Sequence, residues 1–322
     1  MPNSNDLSAF PKLNRAYNSV FQKGRLSLGL VLPIEAYPVG GKPAMKRHVE
    51  TALLAEQLGF SALWLRDVPF DVPSFGDVGQ MFDPFVYLGA LAMATETIAL
   101  GTGSIILPLR HPAHVAKAAA TADVLSNGRL LLGVASGDRP EEYPALNMSF
   151  PDRGERFRDS FEFIKAMARD FPRHESKQGT LSGDMDMLPK PSAGRIPMLI
   201  TGGSRQSPDW VAANSDGWIT YPRDTVSQGC AVSDYRRRIE EAGQPDKPVM
   251  QSLYVSLTEE QDTAPRPIHL GFQSGVNYLK QYLSKLQTLG VNHVALNLRF
   301  NQANIEHTLE RLSAELLSEF KN

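Results

Sequence analysis

Apolar positions along this chain follow two alternating rhythms. Short, nearly continuous apolar runs occur at Leu26–Leu32, Ser61–Leu65, Ile98–Leu107, Leu130–Ala135, Ile196–Thr201, Gly217–Tyr221, Val249–Leu257 and His293–Leu298, as expected of strands buried on both faces. Between them, apolar residues recur every three or four positions: Val49, Ala52 and Leu53; Val115, Ala118, Ala119, Ala122 and Leu125; Phe157, Phe161 and Ile164; Val276, Leu279, Leu283 and Leu286; Leu309, Leu312 and Leu316. Each set makes a helical stripe that can pack on a sheet. Asp83-Pro84 and Ser207-Pro208 read as N-cap and first-turn proline, and Gly59 and Gly290 as C-caps. Eight strand–helix alternations predict an α/β fold, a (β/α)8 barrel in one domain over residues 1–322, with a doubly wound open sheet as the competing arrangement. Residues 1–25 form an extension expected to cover the barrel floor, Arg173–Gly194 a short hairpin, and Thr258–Pro267 a polar loop.

The segment from Ile98 to Asp138, IALGTGSIILPLRHPAHVAKAAATADVLSNGRLLLGVASGD, holds a strand, a helix and a second strand, with small residues where the strands end. Gly101, Thr102, Gly103 and Ser104 interrupt an otherwise β-branched run, so the backbone opens to something that approaches closely, a ligand being one candidate. The helix stops at Ser126-Asn127-Gly128, and the second strand ends in Ser136-Gly137-Asp138. Consecutive parallel strands are neighbours, so both ends can line one pocket.

Bulk properties narrow the function. The 33 basic and 35 acidic residues are well mixed, with no basic stripe to neutralise a phosphate backbone, which argues against nucleic acid. Cys230 is the single cysteine, and the start of the chain lacks a signal-like apolar run, pointing to the cytoplasm. No apolar stretch approaches the roughly 18 to 20 residues that span a bilayer.

A barrel keeps its chemistry at the carboxyl ends of its strands. There lie Glu35 and Tyr37, Arg66 and Asp67, Ser104 through His111, Ser136 through Arg139, Thr201 through Ser204, Tyr221 through Arg223, and Asn297 and Arg299. Thr201-Gly202-Gly203-Ser204, between a strand and a helix start, is either an anion site or a tight turn capped by Ser207. Asp67 is placed to accept from a ring N–H or a substrate hydroxyl, or else to pair with Arg66. Arg153 and Arg156 at a helix start signal an anion, or a solvated face. His111 and His114 have no third ligand at metal spacing, so no metal is expected. No strand carries a lysine for Schiff-base chemistry, and GTGSII lacks the third glycine of a dinucleotide fingerprint.

Taken in order, ALWLRDVPF, the Ile98–Asp138 block, DRGERF and ITGGSRQSPDWVAANSDGWITY resemble the bacterial luciferase-like superfamily of flavin- and deazaflavin-dependent (β/α)8 oxidoreductases. The likeness covers roughly Leu26 to Pro222 and, more weakly, the last strand and helix. IEAY, PSFGDVGQ and GVASGDRP are similar to the group of luciferase-type oxidoreductases. The resemblance implies a non-prolyl cis peptide at Ser104-Ile105 behind a flavin ring, with Gly103 beside it, and Asp67 near the ring or its ribityl chain. Ser136 and Gly137 would touch that chain, and Thr201, Gly202, Gly203 and Ser204 would bind the phosphate together with Arg153. It also implies a homodimer. Val68 stands where deazaflavin-dependent sugar phosphate dehydrogenases of the superfamily carry a catalytic histidine, and the ring-side histidine of luciferases has no clear counterpart, so light emission is not inferred.

These readings predict an FMN-dependent two-component monooxygenase. It would take reduced flavin from a separate reductase and use oxygen on a small organic substrate in a dry pocket. Glu35, Tyr37, Arg66, Arg110 and Arg299 are the expected substrate-pocket residues. His111, the histidine among the strand-end residues, is the expected proton carrier. The alternatives are hydride transfer from a deazaflavin coenzyme and flavin binding without turnover. Substrate identity lives in loops such as Glu35–Gly41 and Asp71–Phe82, whose shapes the sequence does not give.

Overall fold

A computed structural model of the chain describes residues 9–38, 41–76 and 79–320, so residues 1–8 of the extension, the PSFGDVGQ positions Asp77 and Val78, and two residues of the Glu35–Gly41 loop lie outside it. Eight parallel strands close on themselves: β1 (Ser27–Val31), β2 (Ala62–Leu65), β3 (Ala99–Thr102, resuming at Ile105–Ile106), β4 (Leu130–Ala135), β5 (Met198–Thr201), β6 (Gly217–Thr220), β7 (Val249–Leu257) and β8 (His293–Asn297). β8 pairs back onto β1, with Ser27 opposite His293 and Leu30 opposite Leu296, which completes the (β/α)8 barrel. All eight apolar runs are barrel strands. The hairpin between Arg173 and Ser182 and a short strand pair, Arg266–Ile268 with Gly271–Ser274, stand outside this ring.

Alternation along each strand sorts side chains between two cores. Leu28, Leu30, Leu63, Leu65, Leu130, Leu132, Val134, Val294 and Leu296 face outward against the helices. The helices are α2 (His48–Gln57), α3 (Pro84–Ala94), α4 (Pro112–Leu125), α6 (Arg153–Met167), α7 (Pro208–Asn214), α8 (Thr225–Glu241), α9 (Val276–Thr288) and α10 (Ile305–Leu312), with α5 (Glu142–Ala145) in the loop after β4. Val31, Ala62, Trp64, Ala99, Leu131, Leu199, Ile219, Met250 and Ala295 face inward and meet Ala16, Tyr17, Val20 and Phe21 from below. These four lie on or just after α1 (Arg15–Val20), so the stretch before β1 plugs the barrel. Asn14 holds the plug by donating to Asp123 and to the Leu130 carbonyl, and the Tyr17 hydroxyl donates to the Asp216 carbonyl at 2.8 Å.

The LSNGR motif before β4 has a local reason. Asn127 and Gly128 take positive φ and end α4, which aims the buried Arg129 guanidinium at the end of α3 and the start of β3. Arg129 donates there to the carbonyls of Ala92, Thr95 and Ile98 and to the Thr95 hydroxyl, so one side chain fixes the level at which β3 and β4 begin. Among the described residues, no helix is long and apolar enough to cross a membrane.

Candidate active site at the barrel mouth

The lower half of the barrel is full. Trp64 is buried there, and its indole donates to His293 Nε2 at 2.8 Å, while Ser27 meets His293 Nδ1 at 2.7 Å. Burial holds that imidazole neutral by pushing its pKa down to about 3. A side chain at Gly101 would collide with the Trp64 ring, and one at Gly133 with the Thr102 carbonyl. This corrects one expectation: the close approach that Gly101 permits is by Trp64 from within the barrel, not by a ligand.

Above Trp64 the inward positions turn small and polar. Gly103, Ala135, Thr201 and Ser252 are all partly exposed although they point to the barrel axis, so the mouth is an open cup lined by small residues, above the buried Trp64. Tyr254 and Arg299 close one side of it; Arg299 stacks on the rings of Tyr37 at 4.6 Å and Phe300 at 5.2 Å. Ala135, Ser252 and Tyr254 were missed in the sequence, although the alternation within VMQSLYVSL places Met250, Ser252 and Tyr254 on one face.

β3 breaks at this level. Gly103 donates to the Leu65 carbonyl, the cis peptide joins Gly103 to Ser104, and the Ser104 hydroxyl bonds that of Thr201 across the mouth. The cis bond is therefore one residue earlier than Ser104-Ile105. By Ile105 the chain has rejoined the ladder opposite Val134, and its side chain faces the helix-side core, so Ile105 presents no side chain to the mouth. Ser136 and Gly137 lie beside the break. Gly137 has φ +74°, and a side chain on it would press into Ile106 and the Tyr143 hydroxyl, which itself donates to the Ser136 carbonyl.

The Gly-Gly turn and the start of α6 meet. Gly202, Ser204 and Arg205 all have positive φ, and the amides of Gly203, Ser204 and Arg205 meet no acceptor among the described residues. Unpaired N–H groups at a glycine turn that leads into a helix suit an anion. Ser204 braces the turn by donating to the Thr201 carbonyl, and Trp218 donates to the Gly202 carbonyl. Gln206 donates to the Gly154 carbonyl, bringing α6 against the turn. Arg205 is exposed, whereas the Arg153 guanidinium folds onto the Phe150 ring at 3.6 Å and donates to the Phe150 carbonyl. Ser207 caps α7 by accepting from Trp210, so both readings of this segment apply to different residues.

Other expected site residues belong to the scaffold. Asp67 is buried, and its partner is Arg110 rather than Arg66: two parallel N–H···O contacts of 2.9 and 2.8 Å, with the Ile106 amide as a third donor. Arg110 also reaches Asp83, so its substrate-pocket role gives way to a clamp between β2, β3 and α3. Burial works against the Arg110 charge, and the two carboxylates outweigh it, raising the guanidinium pKa. Glu35 accepts the amides of Ala44 and Met45 and secures its own loop. His111 is corrected most sharply. Its Nδ1 caps α4 by accepting from Ala113, its Nε2 meets the Gln178 carbonyl, and its ring sits against Phe163 in the helix layer. Both nitrogens serve structure, so it does not carry a proton at the mouth. Tyr37, Arg66 and Arg299 do come together, with Arg66 donating to the Tyr37 hydroxyl at 3.3 Å.

Comparison with known proteins places this geometry in context. A relative from Mycobacterium tuberculosis, itself uncharacterised, is 31% identical over 189 residues, 54% of this chain and 67% of its own. The oxygenase component of flavin-dependent trigonelline monooxygenase from Acinetobacter baylyi is 28% identical over 189 residues, 57% of this chain and 46% of its own. Among solved structures, an F420-dependent secondary alcohol dehydrogenase superposes with a TM-score of 0.75 at 16% identity, covering 91% of this chain and 98% of that one. The oxygenating constituent of 3,6-diketocamphane monooxygenase from Pseudomonas putida, in complex with FMN, gives 0.71 at 15%, covering 92% and 99%. The sequence profile of the luciferase-like monooxygenases matches residues 26–316, nearly the whole barrel, and the chain belongs to that family.

Proposed function

We propose that the protein is the oxygenase component of an FMN-dependent two-component monooxygenase acting on a small organic substrate. One observation carries this reading: an open cup lined by small residues stands beside a turn whose three amides meet no acceptor among the described residues, which suits a planar ring with a phosphate tail. Gly103 and Ser104 would back the ring, Ser136 and Gly137 would contact the ribityl chain, and the Thr201–Ser204 turn with Arg153 and Arg205 would hold the phosphate. When bound, reduced FMN supplies the two electrons that let one oxygen atom of O2 enter the substrate while the other leaves as water. The protein's own work is to position the substrate over the cup and to exclude water; Tyr37, Arg66, Tyr254 and Arg299 stand where a substrate would meet them. The description of the Acinetobacter relative as an oxygenase component supports a separate reductase partner.

A second reading, hydride transfer with a deazaflavin coenzyme, is favoured by the F420-dependent structural neighbour. Titration with each cofactor separates the two, because Trp64 lies buried beneath the cup and Trp218 touches the turn, so binding quenches intrinsic fluorescence. FMN quenching, together with oxygen uptake from reduced FMN above the enzyme-free rate, supports the monooxygenase. Quenching by the deazaflavin alone overturns it in favour of the second reading. Quenching by FMN without added oxygen uptake over a substrate panel reduces it to flavin binding. The outward face of α3 presents Val86 and Met93, both more than 70% exposed, which supports a homodimer built on that face. Val86→Glu with Met93→Glu then gives a monomer by sedimentation, and an unchanged sedimentation coefficient would remove the proposal.

A further inference from the structure

The loop after β4 buries a carboxylate that none of the roles above uses. Glu142 on α5 is 3% exposed, and its Oε1 meets no hydrogen-bond donor among the described residues. The nearest cation, Arg139, stands 3.9 Å away, within ion-pair range but too far for a hydrogen bond. Over this loop lies the stretch from Pro73 to Gly76: the Phe75 ring covers the Arg139 guanidinium at 4.2 Å, and Ser74 donates to Glu141 at 3.3 Å. Among the described residues, the charged groups around Glu142 are Arg139 and Asp138 on its own loop, Glu141 beside it on α5, and Asp67 at the end of β2, which Arg110 already pairs; Arg153 and Arg156 of α6 act on the adjoining Tyr143. An ionised carboxylate in such a place carries a desolvation cost that one distant guanidinium does not offset, whereas a neutral acid is tolerated.

We propose that Glu142 is a proton-holding residue of the β4 loop, neutral while the Pro73–Gly76 stretch rests on that loop and released to water as an anion when that stretch lifts. The step is a proton exchange only: the carboxyl O–H bond breaks, the proton passes to solvent, and the carboxylate gains hydration. Burial, opposed by Arg139 and reinforced by Asp67, Asp138 and Glu141, brings the carboxyl pKa up to about 7 in the covered arrangement. A hydrated glutamate titrates near 4.3. The covered form thus binds the proton more tightly. By linkage it holds its full advantage below the hydrated value and loses it as pH rises through the covered value. The inference concerns this chain alone and stands whether the cofactor is FMN or a deazaflavin.

The test uses the full-length protein without cofactor. Infrared titration of the protonated-carboxyl band, wild type against Glu142→Gln, reads the proton directly. Amide exchange of residues 72–76, corrected for intrinsic rates, reads the covering stretch. The expected result is a band that titrates near neutrality in wild type and is missing from Glu142→Gln, with exchange at 72–76 rising at least fivefold between pH 6 and 8 in wild type and staying flat in the variant. Glu142→Gln preserves the shape of a neutral acid; if it fails to fold, Glu142→Leu answers the infrared question, and Phe75→Ala in wild type must raise exchange at pH 6 to the pH 8 level. A band that persists in the variant, or wild-type exchange that does not change with pH, overturns the proposal.

Discussion

The two ends of the barrel are built from the same strands and behave in opposite ways. At the floor, every inward position is filled: Tyr17 and Phe21 rise from below, Trp64 and His293 lock by a hydrogen bond, and the glycines there exist because a neighbour occupies the space where a side chain would be. At the mouth, two residues further along the same strands, the inward positions are Gly103, Ala135, Thr201 and Ser252, and they remain partly open. Glycine thus has two meanings along one strand. Gly101 admits a ring of the protein itself, and Gly103 opens to the cup.

Floor substitutions therefore cost stability, and mouth substitutions cost binding. The largest effect is expected from Trp64→Ala, which removes the floor and leaves His293 without its donor; urea unfolding should show a loss of about 3 to 5 kcal/mol. Gly133→Ala comes next, at about 3 kcal/mol, because the new methyl meets a backbone carbonyl that cannot rotate away. A fall in pH should cost about 2 kcal/mol between pH 7 and 5 through His293. Its folded pKa lies near 3, below the ordinary histidine value, so the unfolded chain takes up the proton first and stability declines as pH drops below about 6.5. His293→Gln should flatten this slope while lowering the plateau. The smallest stability effect is expected at the mouth: Thr201→Val, which breaks the hydroxyl pair with Ser104, should cost about 1 kcal/mol or less, and its consequence should show in cofactor affinity instead.

The same contrast explains what could be read from the sequence. Strand and helix periods are local, so all eight strands and the barrel class were legible. The turn at Gly202 and the start of α6 were legible as candidate anion sites because glycine and helix-end signals are also local, although their meeting through Gln206 and Gly154 was not. Side-chain partners across the fold were beyond reach. Asp67 could as well have paired with Arg66 as with Arg110, which is 43 residues away, and His111 looked chemical because nothing in the sequence shows that its ring is needed to cap α4. Glu142 was passed over because EEYPA reads as an ordinary polar helix start until the fold buries it.

The central claim is that the mouth takes a ring and the Gly202–Arg205 turn takes its phosphate. Binding of FMN and of riboflavin, which lacks the phosphate, should be measured by Trp quenching in wild type and in Arg205→Ala combined with Arg153→Ala. The account predicts that the double variant weakens FMN roughly 10- to 100-fold, about 1.4 to 2.8 kcal/mol, and leaves riboflavin unchanged. Equal affinity for the two ligands in wild type, or an equal loss of both in the variant, would contradict it.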